Sequence, residues 1–535
     1  FYYASPTVLV PDHVQFIFQA DRDIYNDSHL RTLGSLFYNR GFFQARPPDH
    51  PSNLVSGDIS INTTWGTIKW LDNNVTVQPD VTLIIDEGAV IFIPENKILT
   101  ITDGATLEIR DGARIVLYSG SRLFFEYNSS LFAHNAGIDG SSNSIINLFD
   151  FSSCTINSSD TLKLIGQVEM QCNSQLNVNA NGNLNIGIGC KLTINPSAIL
   201  KLGTNSRVTS YGIVNAQGTQ EEPIIFTSLN SNPAPGDWYG INLKGGTNTL
   251  KYCNINYANY GVVVNTNQST KIENCNIKYC SNYGIYGLNA TSSGAFRLKG
   301  TNLESNTVGL GLSGTWVSLE PSAQANTVIQ ASAQYGFYSM NSNVYMNRAI
   351  IQTNASDGMW ISSGSNVYFS PDGYSPGYNI IANNTGPQID VSSGGNAFIG
   401  KRIKSCVCGG DLTSSVPPDA VLTSIACNPP CYWEYYDLWG SNTIYGNSMY
   451  ITNGGNIIYA HLTYWGEHPL CPVQAPPSYK FGGNPIYRSY PQCYGSTMLA
   501  NYEQMERSKS NKIDPEYTLP GSPQTGDSSK IVRLI

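Results

Sequence analysis

The stretch that decides the fold is "CNINYANYGVVV", which begins at Cys253, because most of it recurs as "CNIKYCSNYGIYG" from Cys275. Both copies contain Cys-Asn-Ile, then Asn-Tyr-Gly and an apolar run. Within the first copy Cys253, Ile255 and Tyr257 alternate with polar residues, so they share one face of an extended strand. The repeated phrase predicts stacked units with one apolar side.

A glycine followed by an apolar residue marks the same place in successive units. It occurs at Gly261, Gly284, Gly309, Gly336 and Gly358, in steps of 23, 25, 27 and 22 residues. Turn-forming residues separate the strands, and no helical spacing lies between them. A period of this size indicates a repeat architecture built from strands and turns.

A shorter period of eight residues appears in "DGATLEIRDGARIVLYSGSRLFF", where Gly104, Gly112 and Gly120 each precede a short alternating strand. A corner about every eight residues gives a coil of about 24 residues with three sides. A chain that returns one strand spacing higher, about 4.8 Å, is a parallel β-helix. Ile255 should then lie directly over Ile277.

We therefore predict an all-β fold, a right-handed three-sided solenoid of about 22–25 residues per coil. The alternative is a left-handed hexapeptide helix, which the 18-residue steps between Cys154, Cys172 and Cys190 would suit. The eight-residue period of the glycines contradicts that alternative.

Composition excludes several classes of partner. Asp, Glu, Lys and Arg make up 13% of the 535 residues, and the net charge is −8. The sequence has no large cluster of Lys and Arg that would bind nucleic acid or an anionic membrane. Acids interrupt the longest apolar runs well short of the roughly 20 residues that span a bilayer. Because the chain starts at Phe1 without a basic and apolar leader, we expect a mature secreted protein at the cell surface.

Three segments are predicted: an N-terminal arm or cap over residues 1–55, the β-helix over 56–470, and a C-terminal cap with a linker-like tail over 471–535. The chain has 12 cysteines and no CxxC pair, which argues against zinc ribbons. Disulfides in a C-terminal cap are one interpretation of six of them, and buried free thiols are the other. The six are Cys406, Cys408, Cys427, Cys431, Cys471 and Cys493.

Three segments carry a resemblance: "GIVNAQGTQEEPIIFTSLNSNPAPGDWYGINLKGG" from Gly212, "VTVQPDVTLIIDEGAVIFI" near residue 75, and "NGGNIIYAHLTYWGEHP" from Asn453. They resemble secreted right-handed β-helix repeat proteins of the Bacteroidetes type, over roughly residues 56–470. That family is shaped like pectate lyases, and the resemblance implies the fold without implying an activity.

Catalytic chemistry on such a scaffold needs clustered carboxylates. The acids between residues 201 and 400 are mostly single and a coil or more apart, so we predict no enzyme, no cofactor and no metal site. A polysaccharide lyase or glycoside hydrolase is the alternative. Asp103 and Asp111 could line up as a metal ladder, although both residues suit corner turns. His461 and His468 lie beside Glu467. A carbohydrate or metal site is one interpretation of this group, and structural residues of a cap are the other.

Aromatic residues recur at fixed places in the coils. Those that face outward would form a stripe that stacks on sugars or contacts another subunit. Tyr257 and Tyr279 each lie two residues after an isoleucine of the predicted ladder, on the same side of an alternating strand, so we expect them to point inward. The predicted stripe is Trp238, Tyr239, Tyr260, Tyr283 and Tyr286.

A β-helix presents an unpaired strand edge at each end, and an uncovered edge pairs with other chains. The terminal segments either cap a monomer or reach a neighbouring subunit. We predict an extracellular structural protein that self-assembles into a filament or surface layer. The alternative function is a monomeric carbohydrate-binding adhesin. The predicted partners are further copies of the chain and polysaccharide, with neither nucleic acid nor a membrane span.

Overall fold

The computed structural model describes residue 17, residues 54–399 except 141–143, 149–152, 157–160, 166, 171, 373–376 and 393, and beyond residue 400 strand backbones with a few adjoining residues up to 501. The chain forms two compact units, Phe1–Asn282 and Tyr283–Ile535. They are called unit 1 and unit 2.

Unit 1 consists of short strands separated by tight turns. Its strands are β1 (Leu54–Ile59), β2 (Thr63–Trp65), β3 (Lys69–Val77), β4 (Thr82–Ile85), β5 (Val90–Ile93), β6 (Ile98–Ile101), β7 (Thr106–Ile109), β8 (Arg114–Leu117), β9 (Arg122–Phe125), β10 (Ser130–Ala133), β11 (Gly137–Gly140), β12 (Ile145–Leu148), β13 (Ser153–Ile156), β14 (Thr161–Ile165), β15 (Gln167–Met170), β16 (Gln175–Val178), β17 (Asn183–Ile186), β18 (Lys191–Ile194), β19 (Ile199–Leu202), β20 (Arg207–Ser210), β21 (Ile213–Gln217), β22 (Ile224–Ser228), β23 (Trp238–Leu243), β24 (Asn248–Lys251), β25 (Cys253–Asn256), β26 (Ala258–Val264), β27 (Thr270–Glu273) and β28 (Asn276–Lys278).

Unit 2 is built in the same way. Its strands are β29 (Tyr283–Leu288), β30 (Phe296–Lys299), β31 (Asn302–Glu304), β32 (Val308–Ser313), β33 (Trp316–Glu320), β34 (Val328–Gln330), β35 (Phe337–Met340), β36 (Asn343–Met346), β37 (Ile350–Gln352), β38 (Met359–Ile361), β39 (Asn366–Tyr368), β40 (Ile380–Ala382), β41 (Ile389–Val391), β42 (Asn396–Phe398), β43 (Lys401–Cys408), β44 (Asp411–Leu412), β45 (Tyr432–Trp439), β46 (Thr443–Tyr445), β47 (Ile451–Asn453), β48 (Ile458–Ala460), β49 (Tyr464–Trp465), β50 (Phe481–Gly483), β51 (Ile486–Arg488), β52 (Tyr490–Tyr494) and β53 (Thr497–Asn501).

Strands three places apart in the chain pair in parallel. In unit 1, β5 pairs with β8, β6 with β9 and β7 with β10. In unit 2, β29 pairs with β32, β30 with β33 and β31 with β34. Each coil of the chain therefore supplies one strand to each of three faces. The prediction of an all-β, three-sided parallel β-helix is confirmed.

The repeated phrase stacks as the sequence predicts. Ile255 lies opposite Ile277 in the pairing of β25 with β28. The backbone N–H of Cys253 lies 3.4 Å from Cys275 Sγ. Identical phrases therefore place like side chains above one another inside the coil.

The core is a set of such ladders. Leu107 lies between Leu83 and Leu131 in register, and the three side chains are 0–2% exposed. Burying one leucine contributes about 1.5–3 kcal/mol, so many short strands together stabilise a core that no single coil could form.

The eight-residue period in the sequence reflects a backbone requirement at the corners of the coil. Corner residues adopt the left-handed conformation, which glycine, asparagine and aspartate tolerate best. Glycine is therefore one of several residues that mark a corner. The left-handed residues that repeat at eight-residue steps are Asp80, Gly88, Asn96, Gly104, Gly112, Gly120 and Asn128, and again Asn173, Asn181, Gly189, Ser197 and Asn205.

The predicted inward orientation of Tyr257 and Tyr279 is wrong. Both residues follow the ends of their strands and have positive φ angles, 66° and 58°. The left-handed backbone breaks the inside-outside alternation, and Tyr279 is 42% exposed. The two rings stack on each other with centroids 5.4 Å apart.

Unit 2 contains a segment outside the parallel pairing. β43 pairs antiparallel with β44 and β45, and parallel pairing resumes with β46 against β40. Parallel strands continue to Arg488, where β51 pairs with β48. The division of the chain at residues 55 and 470 stays a prediction.

The predicted disulfide cap lies outside the residues whose side chains are described, so it stays a prediction. It comprises Cys406, Cys408, Cys427, Cys431, Cys471 and Cys493. The six cysteines with described side chains are reduced thiols: Cys154, Cys172, Cys190, Cys253, Cys275 and Cys280.

Candidate functional site

One face of unit 2 carries a column of aromatic side chains on its outer side. It comprises β29, β32, β35, β38 and β41, and is called the Trp360 face. Parallel register aligns Tyr286 with Gly311, Gly311 with Tyr338, Tyr338 with Trp360, and Trp360 with Asp390. Successive coils thus place these residues one strand spacing apart.

The glycine in this column leaves room for a neighbouring ring. A Cβ added at Gly311 would overlap the ring of Tyr283. Tyr283 also stacks on Tyr286, with ring centroids 4.8 Å apart. Aromatic atoms therefore cover the gap that Gly311 leaves in the column.

Three rings form the centre of the Trp360 face. Trp360 lies 5.0 Å from Tyr335 and 5.2 Å from Tyr338 between ring centroids, with interplanar angles of 45° and 64°. All three side chains are partly exposed. Rings at these angles cover one another's faces only in part, and each of the three side chains keeps part of its surface accessible to a ligand.

A second aromatic series in unit 2 has a different geometry. Tyr368 stacks on Tyr345 at 4.8 Å and 8°, and on Phe398 at 4.5 Å and 9°. Beside it, Asn366 donates an amide hydrogen bond to Asn343, 3.0 Å away. Parallel rings at these distances cover one another's faces, so this ladder stabilises the coil stack and presents ring edges.

Two carboxylates lie beside the tilted cluster. Burial raises the pKa of Asp357 to about 6, with the nearby charge of Asp390 adding to the shift. Burial also raises the pKa of Asp390. The Tyr335 hydroxyl pKa is raised by burial and then by both carboxylates. Asp357 and Asp390 are 33 residues apart in the sequence and lie on successive coils, where the charge of Asp390 reaches Asp357.

Asp357 owes its partial burial to the next coil. A Cβ added at Gly386 would overlap the Asp357 carboxylate oxygen, so the side chain packs against the bare backbone of Gly386. Ser356 Oγ donates a hydrogen bond of 3.4 Å to the same oxygen. This single weak bond leaves most of the cost of desolvating the charge uncompensated.

We expect Asp357→Asn to stabilise the protein at pH 7 by about 1 kcal/mol, after discounting the shift for solvent exposure. A carboxyl with a folded pKa above its unfolded value binds more protons when folded. Stability is therefore lost as pH rises from about 4 to about 6. Urea denaturation at pH 7 and pH 4 measures the effect. A gain of equal size at both pH values would contradict the assignment to the Asp357 charge.

Trp238 does not belong to an outer stripe. Its side chain is 0% exposed, and its indole Nε1–H donates a 2.9 Å hydrogen bond to the Asn256 carbonyl. The residue occupies an inward position of β23, where burial with a satisfied N–H is favourable. Its inclusion among the predicted surface aromatics was wrong.

The other predicted stripe residues form two pairs in different units. In unit 1, the Tyr239 and Tyr260 rings lie 5.6 Å apart, and the Arg207 guanidinium lies 5.6 Å from the Tyr239 centroid. Asn282 Nδ2 donates a 2.8 Å hydrogen bond to the Tyr260 hydroxyl. Tyr283 and Tyr286 pair in unit 2 and belong to the Trp360 face.

Sequence reasoning missed Tyr335, Tyr338, Trp360 and the Asp357–Asp390 pair. The periodic glycines contained the signal. The second residues after Gly284, Gly309, Gly336 and Gly358 are Tyr286, Gly311, Tyr338 and Trp360, and the residues just before Gly336 and Gly358 are Tyr335 and Asp357. Aligning the coils by these glycines would have found most of the site.

Among the described residues, no group of three or more His, Cys, Asp or Glu side chains is placed to hold a metal ion. That part of the chain also contains no helix with the length and hydropathy of a membrane span. His461, Glu467 and His468 lie outside the described residues. Asp103 and Asp111 precede the left-handed glycines Gly104 and Gly112 in corner turns.

Two family models match the chain. The pectate-lyase like beta helix domain matches residues 154–291, and the right handed beta helix region matches residues 239–417. The chain carries a pectate-lyase-like, right-handed β-helix domain. The second match includes every strand of the Trp360 face, so the candidate site lies within the β-helix domain. No curated protein and no solved structure matches the chain. The secreted, Bacteroidetes-type origin stays a prediction.

Proposed function

We propose that the β-helix domain binds a polysaccharide along the Trp360 face. The observation that carries this proposal is the tilted cluster of Tyr335, Tyr338 and Trp360, whose rings are partly exposed on one face of the coil stack. Sugar rings present C–H groups that pack on aromatic faces. Rigid aromatic side chains provide this contact with little loss of conformational entropy.

The test is calorimetric titration of the full chain with hexasaccharides of β-linked glucose and N-acetylglucosamine. We expect Trp360→Ala to weaken binding about 10- to 100-fold, because a buried aromatic anchor typically contributes at least 2 kcal/mol. Tyr368→Ala is the matched control, since that ring lies in the stacked ladder. Equal affinities of Trp360→Ala and the unmodified chain, both folded by circular dichroism, would contradict the proposal.

Glycoside hydrolysis is the second candidate function. Asp357 and Asp390 favour it, because hydrolysis uses one carboxyl with a raised pKa beside a second carboxylate. Release of new reducing ends from a glycan panel would support this activity, provided that Asp357→Asn abolishes it. Binding without release, in the presence of intact Asp357, would leave the domain as a binding module.

Self-assembly of an extracellular filament or surface layer remains a proposal about the terminal segments. Residues 1–16 and 18–53 and residues 502–535 lie outside the described part of the chain. The support is the general tendency of uncovered strand edges to pair with other chains. Negative-stain imaging of the full chain tests it. A variant without residues 1–50 should lose its fibres if the N-terminal arm is exchanged.

A further inference from the structure

We propose that the Trp360 face prefers glycans that carry free amino groups and rejects glycans that carry uronate groups. This inference rests on the proposed polysaccharide binding and specifies its ligand. The occupant is a chain of amino sugars of the glucosamine type, recognised by stacking on aromatic rings and by contact with carboxylates.

Position in the coil stack places the carboxylates beside the aromatic rings. Asp390 is the register partner of Trp360 on the adjoining strand. Tyr335 lies 5.0 Å from Trp360 between centroids, and its hydroxyl pKa is raised by Asp357 and Asp390 after burial. A sugar that stacks on Trp360 would therefore have its ring substituents close to negative charge.

Positive charge is sparse in the stretch of sequence that carries the aromatic cluster and both carboxylates, although Lys401, Arg402 and Lys404 follow that stretch directly. Between residues 300 and 400 the only lysine or arginine is Arg348. Its guanidinium lies 5.8 Å from the Tyr378 ring. The pKa of Asp357 is raised by burial and by Asp390, and the one opposing influence is the Ser356 hydroxyl. The electrostatic environment of this carboxyl is thus set by acids and neutral groups.

The consequence for ligands follows from charge complementarity. An ammonium group on the sugar can form charge-assisted hydrogen bonds with a carboxylate, which are about twice as strong as neutral ones. A uronate carboxylate in the same place would meet like charge in a partly desolvated site. A neutral sugar would keep the stacking and lose the ionic contribution.

The experiment is calorimetric titration of the full chain at pH 6.5 and low salt with four hexasaccharides. These are oligomers of glucosamine, N-acetylglucosamine, glucose and galacturonate, the last with and without calcium. We expect the glucosamine hexamer to bind about 10-fold more tightly than its N-acetylated form, and the galacturonate hexamer not to bind. Added salt should reduce the glucosamine preference.

Two charge-matched double variants separate a local from a general effect. Asp357→Asn with Asp390→Asn should bring the affinities for glucosamine and N-acetylglucosamine hexamers to within about twofold, while binding of the latter persists. Glu304→Gln with Glu320→Gln removes the same charge elsewhere in unit 2 and should leave the preference unchanged. Affinities are compared at one salt concentration.

Equal binding of the glucosamine and N-acetylglucosamine hexamers would overturn this inference and leave polysaccharide binding intact. A preference for galacturonate, with or without calcium, would overturn it as well, and so would equal effects of the two double variants. If none of the four hexamers bound, the proposed function would fail together with the inference.

Discussion

Replacing Gly240 by alanine should cost about 3–5 kcal/mol in free energy of unfolding. Gly240 has a φ of 135°, a region that only glycine occupies readily. An added Cβ would also overlap the backbone carbonyl oxygen of Tyr260 on the next strand. The pairing of β23 with β26 shifts register between Gly240 and Ile241, so no side chain can be fitted there without moving the coil.

Gly189→Ala is the matched control for this prediction. Gly189 also has a positive φ, 80°, but an added Cβ would meet no atom within 4 Å. Its expected cost is therefore the backbone strain alone, about 1–2 kcal/mol. Urea denaturation of both variants measures the difference. Equal costs would contradict the close approach of successive coils at Gly240.

Replacing Asn354 by leucine should cost about 2–3 kcal/mol. The Asn354 side chain is 0% exposed and belongs to a buried amide ladder. Its Oδ1 accepts a 2.9 Å hydrogen bond from the Ser332 backbone N–H, and its Nδ2 donates a 2.8 Å bond to Asn384 Oδ1. Leucine has a similar volume and leaves the Ser332 donor buried without this acceptor.

Gln352→Leu provides the comparison, because Gln352 lies two residues earlier in a partly exposed amide ladder. Its Nε2 donates a 3.1 Å hydrogen bond to Gln330 Oε1. Water can replace that partner, so the expected cost is below about 0.5 kcal/mol. Urea denaturation would contradict the buried ladder if Asn354→Leu proved as mild as Gln352→Leu.

The coil architecture could be predicted because it depends on local repeats. The alternation of Cys253 and Ile255 marks the inward positions, and the recurring phrase aligns them with Cys275 and Ile277. The alternation holds only within a strand. β25 ends at Asn256, and the left-handed backbone at Tyr257 then turns the next side chain outward. The alternation of inward and outward residues in the sequence does not indicate where a strand ends, so it cannot predict that reversal.

The candidate site was harder to predict because the coils vary in length. Tyr338 and Trp360 are 22 residues apart, whereas Trp360 and its register partner Asp390 are 30 apart. The extra residues enlarge a turn, and Gln388 replaces the periodic glycine in the later coil. Two acids that are 33 residues apart in the sequence therefore lie on successive coils.

Stacking of successive coils places Asp357 beside Tyr335 and Asp390 beside Trp360, where the charge of Asp390 reaches Asp357. Carbon-13 NMR of chains labelled at aspartate side-chain carbons tests it most directly, with Asp357→Asn assigning the signal. We predict a pKa of about 6 for Asp357 in the unmodified chain and a lower pKa in Asp390→Asn, where the like charge is absent. An Asp357 pKa near 4 that Asp390→Asn leaves unchanged would contradict the account.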